Sequence, residues 1–409
     1  MINFGISPVV SVNTNNFNFL YSLMMNNKLL TSAFVLSFFV NFISIGKIKL
    51  NNRFDESKYV LIPDINFEKI LISLKIDDLE DGKVLKSKAI RVKTLDVNGV
   101  GKTEDKKIKH LRGIEAFVNL TKLTCKYNNL TSLDISKNKA LKYIDCSANR
   151  LTEIDITNIK ALIGFECSGN LLSTLDISDN VNLKNIDCSL NQLTNLNTKK
   201  NINLKSLSCD NNQLISLDIS SNLLLKGLDC ELNLLTNLNV TENTFLRHLD
   251  CSDNKLNELD ISNNLNLTKL LFSNNQILKV EIKNNVMLKQ LFCKNNRLKS
   301  LDLSTVKFLE YLDCSGNQLI SLDISKNAVI TVLVFSNNKL TNLNLNKNVL
   351  LNTLVCNNNE LTKLDVSKNI KLHYLKCDVN RIQAICVNSL NHVVDIWTKD
   401  ENTNYKICN

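Results

Sequence analysis

The chain has 409 residues, 44% of them hydrophobic and 6% aromatic, with two prolines and a formal net charge of +9. Its hydrophobic share is ordinary for a folded soluble protein and supports a large core. A charge of +9 over this length is modest and forms no dense basic block, so a dedicated nucleic-acid binder is not expected. Length alone would suggest two or three domains, but internal periodicity has to be tested first.

At the N-terminus Lys28 precedes an apolar run over 29–45, and Ser44-Ile45-Gly46 resembles a small-x-small cleavage site. This reads as a secretory signal peptide over residues 1–46. An uncleaved anchor is the alternative, because the run approaches the length that spans a bilayer. Residues 1–23 would form a long leading region without a basic residue, so translation is expected to begin at Met24 or Met25. No cysteine lies near the cleavage site, which argues against a lipoprotein. Residues 47–61 read as a linker. The mature chain is then expected to be secreted or held at the cell surface, with no membrane span.

In "IPDINFEKILISLKI" the pattern predicts a helix over about 65–75 with Asp64 as its N-cap. The stretch "DDLEDGKVLKSK" after it resembles a calcium loop, with Asp77, Asp81 and Gly82 at suitable offsets. Leu79 occupies a ligand position, however, and Lys88 stands where a bidentate Glu is required. A structural turn is expected, and no metal. "LDVNG" at 95–99 and "IKHLRGIEAFVNL" at 108–120 read as an irregular first coil.

From Leu120 onward the chain repeats every 21 residues, about thirteen times, over 120–385. Position 1 of each unit is Leu, with Ile330 the exception, and position 4 is always apolar. Positions 11, 14 and 16 are almost always Leu, Ile or Val, with Thr198 the clearest lapse, and position 9 is Asn in all thirteen units, from Asn128 to Asn380. Alternation at positions 4 and 6 has the period of a short strand with one buried face. The few inward side chains of one unit cannot offset the entropy of ordering 21 residues, so neighbouring units must stack into a solenoid. The position-9 Asn is expected inside the turn, bonded to backbone of its own and the adjacent coil.

Position 6 is cysteine in eleven units, at 125, 146, 167, 188, 209, 230, 251, 293, 314, 356 and 377. The two remaining units carry Phe272 and Phe335 there. Phenylalanine can replace a core filler but neither a metal ligand nor a disulfide partner. These cysteines are therefore read as small buried hydrophobes.

The LxxLxCxxNxL unit, with a second half such as "LTSLDISKN" (130–138) that nearly repeats the first, resembles the nested 21-residue form of bacterial leucine-rich-repeat proteins, distantly similar to the internalins. The resemblance covers residues 95–409. It implies a mostly β repeat fold of the α/β kind: a leucine-rich-repeat solenoid with a parallel β-sheet on its concave side, roughly 60 Å long at ~4.8 Å per coil. It also implies a second row of short strands opposite, and a small helical N-terminal cap over 62–119. After Asn380 the repeat dissolves, and 386–409 reads as an irregular C-terminal cap. Cys386 and Cys408 lie off the 21-residue register, and in an exported chain they read as one disulfide stapling that cap.

Signals for enzymatic chemistry are poor. There are four histidines, and no Gly-rich phosphate loop, HExxH or nucleophile elbow occurs. No cofactor and no catalytic residue are expected. The recurrent "DIS" triplets read as structural repetition. His248, Asp250 and Asp229 could form a partial metal site, with a surface ion pair the plainer reading.

What varies is the outward face of the predicted strands. Position 5 reads Asp145, Glu166, Asp187, Ser208, Asp229, Asp250, then Leu271, Phe292, Asp313, Val334, Val355 and Lys376. Position 3 adds Tyr143, His248, Tyr311 and Tyr374. An acidic row thus gives way to a largely apolar one. Carboxylates about 5 Å apart repel by ~1–3 kcal/mol per pair, so something must offset or use them. Lys142, Lys184, Lys205, Lys226, Arg247 and Lys289 at position 2 are one candidate, simply neutralising the acids; a ligand stripe is the other. Apolar side chains exposed in one patch mark an interaction site. The partner expected is a protein or peptide, in keeping with the resemblance, held by a monomer. A glycan is the second class, and a structural envelope or matrix role without a discrete ligand the third.

Overall fold

In the computed structural model residues 55–408 are described. The signal peptide, its cleavage site, the alternative starts and most of the linker lie outside them. The chain from Val60 onward forms one compact unit. Among the described residues no helix is long and apolar enough to cross a membrane.

The cap opens with β1 (Tyr59–Leu61), followed by α1 (Ile65–Ser73) and β2 (Lys83–Leu85), which pairs with β1. The helix ends two residues before the predicted stop. Its N-cap is as expected: one carboxylate oxygen of Asp64 accepts from the backbone N–H groups of Asn66 and Phe67. The other accepts from Lys109 and His110 at 2.7 and 3.2 Å, tying the helix start to the first coil. Phe67 and Leu71 are buried, with the Phe67 ring 6.5 Å from that of Phe117. A short helix, α2 (Lys86–Ala89), leads to β3 (Thr94–Asp96), where the main sheet begins.

That sheet is parallel and fourteen-stranded among the described residues. Thr94 pairs with Lys122, 28 residues on, so the first coil is longer than the rest. From β4 (Lys122–Thr124) each three-residue strand pairs with the segment 21 residues later, ending at β17 (Tyr374–Lys376). The middle residue of every strand and the cysteine two positions on are buried, as are the apolar residues at positions 1, 11 and 16, in one continuous core. Phe272 and Phe335 sit fully buried in the cysteine column. The eleven cysteines there are free and buried, and burial pushes their thiols up.

The asparagine at position 9 ties each coil to the one before it. Asn149 donates to the carbonyls of Cys146 in its own coil and Cys125 in the previous one, and accepts from the N–H of Leu130 at 3.0 Å. The same triple contact recurs at Asn233, which accepts from Leu214 and donates to Cys209 and Cys230. Between positions 6 and 9 the backbone turns through a left-handed residue, from Tyr127 (φ 56°) to Val379 (φ 56°).

The second row of strands is not built as expected. Opposite the sheet, strands form among the described residues only at the C-terminal end, where β16 (Leu364–Asp365), β18 (Ala384–Val387) and β19 (Asn404–Ile407) make a three-stranded parallel sheet. Elsewhere side chains use up the backbone groups that a ladder would need. The aspartate of each "DIS" triplet accepts from the N–H two residues on, as Asp134 does from Ser136 and Asp218 from Ser220. A second asparagine row, at position 19, donates to carbonyls of the preceding coil: Asn180 reaches those of Ile156 and Ile159, both at 2.9 Å.

The last coil is closed by the cap. Thr398 bridges to Lys376, extending the sheet by one residue, and the carboxylate of Asp400 accepts from the N–H groups of Val379 and Asn380 where another coil would supply a carbonyl. Trp397 is buried and its indole N–H donates to the carbonyl of His373. Cys386 and Cys408 are disulfide-bonded, with Cα atoms 5.4 Å apart, joining β18 to the residue just past β19.

Candidate functional site: the concave face of the sheet

Strand register places the varying side chains in two straight rows. Asp145, Glu166, Asp187, Ser208, Asp229, Asp250, Leu271, Phe292, Asp313, Val334, Val355 and Lys376 are consecutive partners across the parallel ladders. Tyr143, His248, Tyr311 and Tyr374 fall in the neighbouring row, two residues earlier on their strands. All sixteen of these residues therefore share one face.

At the N-terminal end of this face a concavity of ≈ 840 Å³ is lined by residues including Lys122, Tyr143, Asp145, Glu166, Asp187 and Ser208. Lys126, at position 7, pairs with Asp145 at 3.0 Å. Further along, the acids lack such a partner. Asp250 is only 7% exposed and accepts from the N–H of Ser252. Beside it, one carboxylate oxygen of Asp229 is buried without a hydrogen-bond partner. Burial, then Asp210 and Asp250, push the Asp229 carboxyl up to about 7. Burial also raises Asp210 and Glu231, with neighbouring carboxylates adding to it. His248 is lowered by burial and then by Lys269, with Asp250 opposing. The centre of the face thus concentrates negative charge that no ion pair among the described residues neutralises, with Lys269 alone acting on Glu231 from nearby.

Asp210 and Glu231 escaped the sequence reading. They occupy position 7, which is Ser in seven units (Ser147, Ser168, Ser189, Ser252, Ser273, Ser315, Ser336), so departure from the repeat was the available signal. The neutralising role considered for position 2 is not what the structure shows. Among the described residues the only ion pair to the acidic row comes from Lys126, while Lys289 pairs instead with Glu310 at 3.4 Å. Lys205, Lys226 and Arg247 at position 2 line a separate hollow with Leu224, Phe245 and Asn266.

The apolar half also differs from expectation. Leu271, Phe292, Val334 and Val355 are half-buried rather than freely exposed. Phe292 stacks on Tyr311 with ring centroids 4.5 Å apart and planes 24° apart, a contact that shields both. Tyr143 and Tyr374 at the two ends are the face's more exposed aromatics.

His248, Asp250 and Asp229 do not converge as metal ligands. Among the described residues the trio whose ligand atoms lie within 4.8 Å of one another is Glu68, Asp77 and Asp81, in the cap. There one Glu68 oxygen accepts from the N–H groups of Asp81, Gly82 and Lys83, and Lys83 pairs with Asp81 at 3.1 Å. Lys88, standing where the calcium pattern needs a carboxylate, bonds Asp78. These contacts make the loop a turn stapled by Glu68.

No protein-family model matches the chain, and no curated protein does. Solved structures do. The functional domain of InlJ from Listeria monocytogenes, which includes a cysteine ladder, is 31% identical, with 80% of this chain and 77% of that one covered and a TM-score of 0.70. The chain belongs to the internalin-like leucine-rich-repeat proteins. Two further structures show the same fold at lower identity. Internalin InlF of Listeria monocytogenes is 16% identical, covering 85% of this chain and 96% of its own, with a TM-score of 0.61. A leucine-rich-repeat protein of Leptospira interrogans is 23% identical, covering 76% and 91%, with a TM-score of 0.66. In this internalin-like chain the column of buried cysteines is a ladder of the same kind, interrupted by Phe272 and Phe335.

Proposed function

We propose that this internalin-like chain is an exported, non-catalytic recognition protein that holds a protein or peptide partner against its concave sheet, in the manner of an adhesin or receptor. The observation that carries this is the acidic centre of Asp210, Asp229, Glu231 and Asp250, none of them in an ion pair among the described residues, continued along the face by Leu271, Phe292 and Tyr311. A folded protein gains nothing from clustering half-buried carboxylates when burial, and then their mutual repulsion, raise one of them to about 7. A cationic ligand would relieve that repulsion, and the Phe292–Tyr311 stack would receive an apolar segment beside it. The partner segment that fits is therefore basic at one end and apolar at the other. Export is supported by the apolar run at 29–45 and by the Cys386–Cys408 disulfide, which suits an oxidising compartment.

A peptide-display selection against the full chain tests this reading. Enriched binders should join Lys or Arg to apolar residues. Glu231→Lys should weaken them at least ~10-fold through the charge row, and Phe292→Asp by a similar factor through the stack. Binders that survive both substitutions would place recognition elsewhere on the molecule.

A further inference from the structure

A row of exposed apolar side chains lies off the concave face, on the loop that enters each strand. Val181, Ile202, Leu223 and Leu265 at position 20, and Phe245 and Phe308 at position 21, are each 44–58% exposed. Because they hold the same place in successive coils, the ladder that builds the sheet also sets them in a line, about 4.8 Å per coil. Position 2, close by on the same loop, carries Lys184, Lys205, Lys226, Arg247 and Lys289. These cations do not serve the acidic row. Lys289 pairs with Glu310, and none of the ion pairs among the described residues involves the other four.

Midway along the edge, Lys205, Lys226 and Arg247 from three consecutive coils surround a hollow of ≈ 430 Å³ together with Leu224, Phe245 and Asn266. The hollow offers positive charge for a phosphate and apolar walls for whatever carries it. A protein epitope would call for charges and shapes that change from coil to coil. This edge instead repeats one chemistry, apolar tips beside cations, over much of the sheet. A laterally uniform anionic surface matches that repetition.

We infer that this loop edge docks on an anionic bilayer. Lipid phosphates meet Lys205, Lys226 and Arg247, and the side chains at positions 20 and 21 enter the boundary between headgroups and acyl chains. The edge is distinct from the concave face, so either surface can fail without the other.

The test uses the full chain with Leu265→Cys carrying an environment-sensitive fluorophore. The eleven ladder cysteines are buried and the remaining two are bonded, so the new thiol alone takes the label under native conditions. A control carries the same label at Ile320→Cys, a still more exposed position away from this edge. Phosphatidylcholine vesicles containing about one-third phosphatidylglycerol should shift the Leu265→Cys probe to the blue and brighten it severalfold, leaving the control unchanged. K205E, K226E and R247E together should weaken that response on the order of 100-fold in lipid concentration, while K205R with K226R retains it. The inference is overturned by a silent Leu265→Cys probe, even on chains that float with the vesicles through another segment. It is overturned equally by the same response on pure phosphatidylcholine. A response to polyglutamate in solution, with lipid absent, would assign the edge to an acidic protein instead.

Discussion

At position 9 the side chain is Asn in every coil from Asn128 to Asn380, whereas position 5, four residues earlier, carries Asp, Glu, Ser, Leu, Phe, Val and Lys. The two positions belong to the same strand-and-turn unit but to different regions of the molecule. The first lies in the buried seam between coils, the second on the concave face. In the seam each asparagine completes backbone bonds in two coils at once, as Asn233 does for Leu214, Cys209 and Cys230. No other side chain supplies a donor and an acceptor in that geometry. On the face a side chain meets neighbours only one coil away, and the ladder beneath it is made by backbone. The fold therefore fixes the seam and leaves the face free to carry recognition.

The sharpest way to break this division is to exchange severities. Asn233→Ala should cost about 4 kcal/mol, because a buried N–H and at least one buried carbonyl lose their partners at ~1–3 kcal/mol each. Leu271→Ala, on the half-buried face, should cost about 1 kcal/mol. Urea unfolding of the two variants gives the comparison directly. Equal losses would mean that the face is as structural as the seam.

The cysteine column belongs to the seam, and its chemistry should follow burial. In the native protein at pH 8, iodoacetamide should leave all eleven ladder thiols unreacted, since burial removes access and pushes each thiol up. After denaturation without reductant, mass spectrometry should count eleven labels, with Cys386 and Cys408 still bonded. Fewer labels would mean that ladder cysteines are cross-linked, and the column would no longer be simple core.

On the face, the corresponding signature is electrostatic. Asp229 is raised to about 7 in the folded chain, against roughly 3.9 when unfolded. A carboxyl raised in this way contributes its stability in full below the unfolded value and loses it as pH climbs through the folded one. Asp229→Asn should therefore melt above the parent protein at pH 8, with the gap closing toward pH 4. Binding of a cationic peptide should run the other way, tighter at pH 8 than at pH 6, because the ligand favours the ionised form. A melting difference independent of pH would show that Asp229 is ionised without penalty, and the acidic centre would lose its argument.

The contrast between seam and face also explains what the sequence revealed. Invariance made the seam legible: Asn at position 9, and cysteine interchanging with Phe272 and Phe335, pointed to a bonded turn and a packed column from the pattern alone. The two rows of the face came from register alone. The second row of strands did not. Nothing in "LDIS" distinguishes a paired strand from a bend whose N–H groups are taken by its own aspartate, as Asp134 takes that of Ser136. The acids at position 7 were hidden among serines, and the direction of the position-2 lysines depended on how the chain enters each strand. The closure of the last coil by Asp400 was out of reach as well, since a single carboxylate standing in for a missing coil leaves no periodic trace.

Position 16 offers the smallest and most discriminating test, because one unit already departs from the rule. Thr198 stands there where other coils carry Ile, Val or Leu, and it is buried. Its hydroxyl has one proton to donate, and two acceptors lie in reach: the side-chain oxygen of Asn222 at 2.7 Å and the carbonyl of Asp218 at 2.9 Å. In nine other coils the corresponding asparagine oxygen, at Asn180 and Asn264 for example, is buried with no partner at all. The lapse in the repeat is thus a local repair of an acceptor that the rest of the solenoid leaves unmet. Thr198→Val would return Asn222 to the state of its neighbours, losing the one proton the hydroxyl donates but gaining apolar contact. The expected cost is about 1 kcal/mol, with Thr198→Ile closer to neutral because its extra methylene fills more of the core. Differential scanning calorimetry on the pair should show a shift of only a few degrees. A loss as large as that of Asn233→Ala would mean that the orphaned oxygens of the other coils are far costlier than their repetition implies.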